Sequence, residues 1–166
     1  FYNIIYTIFL KRNSIYDIHI GSISGSMPPL ISYLFISNQI DFESIMLFII
    51  LSFWQIPHSL AITIYRQKDF AKADIITSPT KKGIDKTKKD IIFYIILFFI
   101  AAIVLFKSQF VGLFYLLGIT IVSIYWIYYY FDYKANLEKW AKKILLSSIL
   151  VIFVFDVILV INYFLA

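Results

Sequence analysis

Five long apolar segments constrain the fold of this 166-residue chain more than any other feature of its sequence. A helix needs about 20 largely apolar residues to cross the hydrocarbon core of a bilayer. The segments close to that length are 18–37, 44–65, 90–106, 110–131 and 144–164. They lack the alternation of apolar and polar residues that a membrane β-strand requires. The sequence therefore predicts an all-α fold, a polytopic transmembrane helical bundle with five complete spans.

Residues 1–10 form a further apolar stretch, which is too short to span a membrane alone. We interpret it as the end of a preceding helix. The first residue is Phe1 rather than Met, so we expect an N-terminal part of the natural protein to be missing. Residues 1–166 are then expected to form a single transmembrane domain without internal repeats.

Composition excludes several other classes of protein. The chain is 61% hydrophobic and 15% charged, whereas soluble domains are about 25% charged. This excludes a soluble enzyme, a disordered chain and, despite the net charge of +5, a nucleic-acid-binding module. The absence of cysteine from the sequence excludes disulfides, Cys-ligated metals and thiol nucleophiles.

The basic residues alternate from one connector to the next. Connectors 11–17, 66–89 and 132–143 hold 14 of the 15 Lys and Arg residues. The intervening connectors, 38–43 and 107–109, hold the remaining one. By the positive-inside rule, the basic connectors are cytoplasmic and the C-terminus lies on the opposite side.

Polar side chains lie at membrane depth near the end of the second span. Pro57 removes one helical hydrogen bond and favours a kink, and Gln55 and His58 flank it. Polar residues at this depth usually face a bundle interior or a cavity. His58 is expected either to bind a porphyrin, iron or a substrate, or to be satisfied by a neighbouring helix.

A mixed charge cluster follows the same span. Its carboxylates are Asp69 and Asp74, and its cations are Arg66, Lys68 and Lys72. Mg²⁺ prefers one or two carboxylates together with phosphate oxygens, and the cations suit a diphosphate. The alternative is an ordinary charged helix end on the basic side.

Two other spans contain unusual residues. In the first span, Gly21 and Gly25 form a small-xxx-small pattern that permits close helix packing, and Pro28 and Pro29 favour a kink. Asp156 lies in the middle of the last span, where a charge is costly and needs a polar partner or contact with water.

The landmark residues follow a characteristic order along the whole chain. They are Tyr6-Thr7 with Leu10-Lys11-Arg12, Ile20-Gly21 with Gly25, Pro28 and Pro29, Trp54 with Pro57-His58 and Ala61, Tyr65-Arg66 with Asp69-Phe70 and Ala73, Gly83-Ile84 with Thr87 and Tyr94, and Ala141-Lys142-Lys143 with Ser147 or Ser148 and Asp156. In this order and spacing, the chain resembles the heme O synthases, a branch of the UbiA superfamily of intramembrane prenyltransferases.

The resemblance implies nine helices around a cavity and two acidic motifs. The five spans match helices five to nine, and 66–89 is the cytoplasmic loop with the second acidic motif. Helices one to four and the first motif are then absent from this chain. We expect the chain alone to be inactive, because one motif does not complete the site.

The implied reaction transfers the farnesyl group of farnesyl diphosphate to a vinyl group of heme b, giving heme O. Mg²⁺ is the implied cofactor and assists departure of the diphosphate. The implied location is the bacterial inner membrane. The implied partners are farnesyl diphosphate, heme b, the lipid bilayer, and heme A synthase or terminal oxidase assembly factors, with no nucleic acid.

The resemblance also implies roles for individual residues. Asp69 and Asp74 are the catalytic carboxylates that hold Mg²⁺ through the diphosphate. The implied diphosphate ligands are Tyr65, Arg66, Lys68 and Lys72, and the implied heme contacts are His58 and Trp54.

The chain departs from the family pattern at a few positions. Asp74 stands where the family usually has glycine, so its carboxylate either adds a metal ligand or marks a relaxed motif. Ile76-Thr77 replaces Pro-Met, and Ser59-Leu60 replaces Phe-Trp after the Pro-His. Two alternatives stay open: a prenyltransferase with another aromatic acceptor, such as a quinone precursor, and a non-catalytic membrane protein that binds heme or lipid.

Overall fold

A computed structural model describes residues 17–133 and 136–165, and over these residues the chain is helical, with no strand. The helices are α1 (Asp17–Ser37), α2 (Phe42–Tyr65), α3 (Gln67–Lys72), α4 (Ser78–Lys82), α5 (Ile84–Lys107), α6 (Leu113–Phe131) and α7 (Leu137–Leu165). The expected all-α fold is confirmed. The interpretation of residues 1–10 as a helix end, the landmarks Tyr6-Thr7 and Leu10-Lys11-Arg12, and the basic connector 11–17 up to residue 16 lie outside the described residues.

Two helices extend beyond the apolar segments that predict them. Helix α5 begins at Ile84, earlier than the apolar segment 90–106 predicts. Helix α7 begins at Leu137, earlier than the apolar segment 144–164 predicts. Hydropathy detects the part of a helix that matches the membrane, whereas Lys and Glu continue a helix readily into water. The 66–89 connector therefore contains α3, α4 and the first turns of α5.

Four of the described helices are long and apolar enough to cross a membrane, namely α2, α5, α6 and α7. The first predicted span does form the 21-residue helix α1, but α1 is not among those four. Its serines, glycines and two prolines lower its mean hydropathy. Both α1 and α2 continue as helices through their prolines.

Helix α2 lies at the centre of the described bundle. It packs against α1, α5 and α7, and α6 closes the bundle against α5 and α7. An aromatic cluster fills the space between α5, α6 and α7: the Phe98 ring contacts Trp126 at 5.8 Å and Phe155 at 6.3 Å between centroids. These fully buried rings give the bundle a rigid core against which α2 is held.

Small residues bring α1 close to α2, as the Gly25 pattern predicts. The Ser26 and Ser52 hydroxyls are 3.1 Å apart across the interface. A Cβ atom at Gly25 would overlap the amide of Gln55. Gln55 at membrane depth therefore packs against α1, as expected for a polar residue that faces a neighbouring helix.

The turn between α1 and α2 is held by Asp41. Its carboxylate accepts a hydrogen bond from the Ser44 backbone N–H at 2.7 Å and another from the Tyr33 hydroxyl at 2.8 Å. The Ser44 hydroxyl accepts from the Asp41 backbone N–H, which completes a capping box. The Ser44 N–H bond in particular lowers the pKa of Asp41 below its usual value.

Stability should fall in acid through this cap. Because the folded pKa is depressed, the contribution of Asp41 is present above the unfolded pKa and is lost as pH falls through the folded pKa. Between about pH 6 and pH 3, the thermal midpoint of the parent in detergent should therefore drop further than that of Asp41→Asn, which caps without titrating. Equal drops in the two proteins would contradict this role.

A glycine is required at the start of α5. Gly83 has φ +84° and ψ +157°, a backbone region that is open essentially to glycine alone. Gly83→Ala should lower the free energy of unfolding by about 1–3 kcal/mol, measured by denaturation in detergent. The control is Lys86→Ala, in the exposed first turn of the same helix, which should change stability by less than about 0.5 kcal/mol.

Candidate active site

Two aromatic rings of α2 are anchored by a single residue of α7. The Trp54 indole Nε1–H donates to the Ser148 carbonyl at 2.8 Å, and His58 Nδ1 lies 2.8 Å from the Ser148 hydroxyl oxygen. The Trp54 and His58 rings stack, with centroids 5.0 Å apart and planes inclined by 29°. Both rings are half-buried, so each keeps an open side. This cluster combines a flat apolar surface with an imidazole at membrane depth.

A cleft opens at the basic end of the same helix face. Residues 54, 58 and 65 are spaced by four and seven positions and so share one face of α2. The cleft has a volume of about 320 Å³ and lies between the end of α2 and the start of α7. Its lining residues are Ile64, Tyr65, Gln67, Lys68, Asn136, Leu137 and Glu138. Tyr65 lies about 10 Å along the axis from His58, by the rise of an α-helix.

Of the four predicted diphosphate ligands, two line this cleft and two do not. Tyr65 and Lys68 line it. Lys68 Nζ also lies 3.8 Å from a carboxylate oxygen of Glu138, and both side chains are exposed, so this ion pair is weak and exchangeable. Arg66, at the junction of α2 and α3, and Lys72, at the end of α3, are exposed and outside the cleft lining.

The two predicted carboxylates occupy different positions on α3. Asp69 lies in its first turn with an exposed side chain. Asp74 lies beyond its end with φ +51°. The Asp74 N–H donates to the Ala71 carbonyl at 3.3 Å and the Ile75 N–H to the Phe70 carbonyl at 3.0 Å. These two bonds form a Schellman motif with Asp74 at its left-handed position.

The Schellman geometry explains why a glycine suits position 74. A left-handed residue ends a helix at the lowest cost when it is glycine, and Asp is one of the few other residues that tolerate the conformation. Asp74 therefore has a defined structural role in stopping α3. Its carboxylate is exposed, and its role as a metal ligand stays a prediction.

Comparison with known proteins identifies the family. The model of the UbiA prenyltransferase family matches residues 1–150. The chain belongs to the UbiA prenyltransferase family. The resemblance in the sequence is thus confirmed at family level, and the four long apolar helices fit an integral membrane protein of this family.

Several similar proteins carry the name protoheme IX farnesyltransferase. The one from Blochmanniella floridana is 46% identical over 93% of this chain and 54% of its own length. That from Blochmanniella pennsylvanica is 40% identical over 97% and 56%. Protoheme IX farnesyltransferase 2 from Pseudomonas entomophila is 40% identical over 89% and 50%. The chain spans about half the length of these curated relatives. No solved structure matches it significantly.

The carboxylates of the described residues fit a predicted Mg²⁺ site that substrate phosphates complete, rather than one built by the protein alone. Among residues 17–133 and 136–165, no group of three or more His, Cys, Asp or Glu side chains is close enough to hold a metal ion. Mg²⁺ needs only one or two protein carboxylates when substrate phosphates and waters supply its other ligands. The exposed carboxylates of Asp69 and Asp74 fit that requirement.

Asp156 does not pair with another described residue of this UbiA-family chain. It is exposed on α7 and lines a shallow, largely apolar groove of about 400 Å³ with Phe153, Val157, Val160 and Ile161. The groove is open and largely apolar, so neither of the two alternatives for a carboxyl at this depth, a polar partner or contact with water, is decided by the described residues.

Sequence reasoning missed the partners that α7 supplies to α2. Ser148 is a landmark of the family resemblance, but only the packing of α2 against α7 pairs it with residues about 90 positions away. Glu138 and Asn136 line the same cleft as Tyr65, but they belong to no motif in the sequence. The resemblance carries a conformational signal for Asp74, because it implies a glycine at that position.

Asp74→Gly should leave the structure intact or stabilise it. Glycine removes the cost of a left-handed side-chain-bearing residue, on the order of 1 kcal/mol, while the two backbone bonds of the motif remain. Asp74→Val, which is β-branched, should destabilise the protein instead. Thermal unfolding in detergent measures both. A loss of stability in Asp74→Gly equal to that in Asp74→Val would contradict the helix-stop role.

Proposed function

We propose that the protein of which this chain forms part is a protoheme IX farnesyltransferase. It transfers the farnesyl group of farnesyl diphosphate to a vinyl group of heme b and so makes heme O. One observation carries the proposal: the Trp54–His58 pair and the polar cleft at the end of α2 lie on the same face of that helix. The helix belongs to a chain of the UbiA family. The name of the similar proteins supports the choice of heme as acceptor.

The donor end of the site is the polar junction around the end of α2. Arg66 and Lys72 are exposed cations that bind diphosphate oxygens by charge-assisted hydrogen bonds. The Tyr65 hydroxyl donates a hydrogen bond to the diphosphate from the wall of the cleft. Lys68 gives up its ion pair with Glu138 and pairs with the diphosphate instead. Asp69 is the principal carboxylate and Asp74 an auxiliary one, because Asp74 also serves the helix stop.

The reaction needs neutralisation of the leaving group. Bound Mg²⁺ supplies Lewis-acid stabilisation of the departing diphosphate. The allylic C–O bond breaks, and its electron pair leaves with the diphosphate. The farnesyl carbon then bonds to the terminal vinyl carbon of heme b, and the resulting porphyrin-side cation takes the hydroxyl of water and releases a proton. Arg66 and Lys72 stabilise the charge that develops on the diphosphate.

The acceptor end of the site is the Trp54–His58 pair. Its half-buried indole supplies apolar contact area for a porphyrin bound beside the imidazole. The rise of about 10 Å between His58 and Tyr65 is comparable with the width of a porphyrin. A heme at His58 therefore reaches towards the diphosphate end with its edge, where the vinyl groups lie.

The proposed location is the bacterial inner membrane, with the basic connectors in the cytoplasm. The alternation of 14 basic residues in one set of connectors and one in the other supports this orientation. Farnesyl diphosphate then enters from the cytoplasm. Heme O passes on to heme A synthase or to the assembly factors of a terminal oxidase.

Asp69→Asn should lower the rate of heme O formation by at least about a hundredfold, because it removes the carboxylate that holds Mg²⁺ against the leaving group. The assay uses membranes with the polypeptide of the complete reading frame, supplied with heme b, Mg²⁺ and farnesyl diphosphate. Extracted hemes are quantified by mass.

The matched control is Asp85→Asn, an exposed carboxylate in the first turn of α5 at the same end of the bundle. It should retain the parental rate, and Asp74→Gly should lose less activity than Asp69→Asn. Heme O formation that is equal in Asp69→Asn and Asp85→Asn would exclude the proposed role of the acidic motif. Unchanged function without Asp69 would favour a non-catalytic heme-binding protein.

A further inference from the structure

The Ser148 hydroxyl has a proton that is already engaged. Ser148 Oγ lies 2.6 Å from the Leu145 carbonyl oxygen. Two oxygen atoms at that separation need a hydrogen between them, and only the hydroxyl carries one. The hydroxyl therefore donates to Leu145 and has only lone pairs left for its second contact.

The second contact of that hydroxyl fixes the tautomer of His58. Since Ser148 Oγ can only accept there, His58 Nδ1 carries the proton and donates it across 2.8 Å. A neutral imidazole protonated at Nδ1 has a bare lone pair at Nε2. Among the described residues, no hydrogen bond engages Nε2, and the ring is half-buried rather than enclosed.

The orientation of the ring is fixed by the same residue. The Ser148 carbonyl accepts from Trp54 Nε1, and the Trp54 indole stacks on the imidazole. One residue of α7 therefore sets both the protonation of the imidazole, through its hydroxyl, and the plane of the imidazole, through Trp54. Ligating histidines in metal sites are held in this way, with the other ring N–H donated to a fixed acceptor.

We propose that His58 binds the iron of a metalloporphyrin through Nε2, and that Ser148 is the positioning residue that holds His58 in the required tautomer. The proposal rests on the proposed function for the presence of a heme site and adds the ligand atom and its support. Coordination holds the iron at a fixed position relative to the donor end, which lowers the freedom of the macrocycle that the rest of the site must restrict.

The test is titration of the detergent-solubilised polypeptide of the complete reading frame with ferric protoheme, followed by absorption and electron paramagnetic resonance spectra. We expect the parent to give the spectrum of a histidine-ligated heme. Ser148→Ala should raise the dissociation constant roughly 10–100-fold, as loss of a partner behind a metal ligand usually does. His58→Ala should lose the signature, and free imidazole should restore it.

The matched control is Ser147→Ala. Ser147 is the adjacent buried serine, and its hydroxyl donates to the Ile144 carbonyl but to no residue of α2. It should bind protoheme as the parent does. Metal-free protoporphyrin should bind the parent, Ser148→Ala and His58→Ala alike, because it offers no iron.

Equal protoheme affinity in Ser148→Ala and the parent would overturn the positioning role. A histidine-ligated spectrum that persists in His58→Ala without imidazole would overturn the ligand assignment. A parent that gives the expected spectrum but makes no heme O would refute the proposed function while supporting this inference. Heme O formation by a parent without the spectrum would do the reverse.

Discussion

The contact between α2 and α7 is the interaction on which the rest of the site depends. A polar side chain at membrane depth needs a partner within the bundle, and Trp54 and His58 both find theirs in Ser148. The same helix pair forms the cleft beside Tyr65, since α7 begins at Leu137 where α2 ends. If α7 moved away from α2, the imidazole and the cleft would both lose one wall.

The remaining packing holds this pair in place. The rings of Phe98, Trp126 and Phe155 fill the space between α5, α6 and α7, and α5 and α1 pack against α2 from other sides. These three rings are fully buried, whereas Trp54 and His58 are left half-open. The buried rings stiffen the bundle, while the half-open pair leaves an apolar surface for the acceptor that we propose.

The sequence predicts the five long described helices because each contains a long apolar segment, although α1 is not among the four that are long and apolar enough to cross a membrane. It misplaces the starts of α5 and α7, since hydropathy ends at the membrane surface while the helix continues. It identifies His58 and Asp69 as candidates from their position. It does not pair His58 with Ser148, because the two are 90 residues apart and only the packing of the helices relates them. It treats Asp74 as a chemical group, whereas its left-handed backbone depends on hydrogen bonds that close after α3 has formed.

The proposed function depends above all on heme b as the acceptor. The most direct measurement is a competition in membranes that contain the polypeptide of the complete reading frame. Heme b and an aromatic quinone precursor are supplied together with farnesyl diphosphate and Mg²⁺, and prenylated products are identified by mass. We expect farnesylated heme, recovered as heme O, and no farnesylated quinone precursor. Farnesylation of the quinone precursor with heme b unchanged would contradict the proposed function.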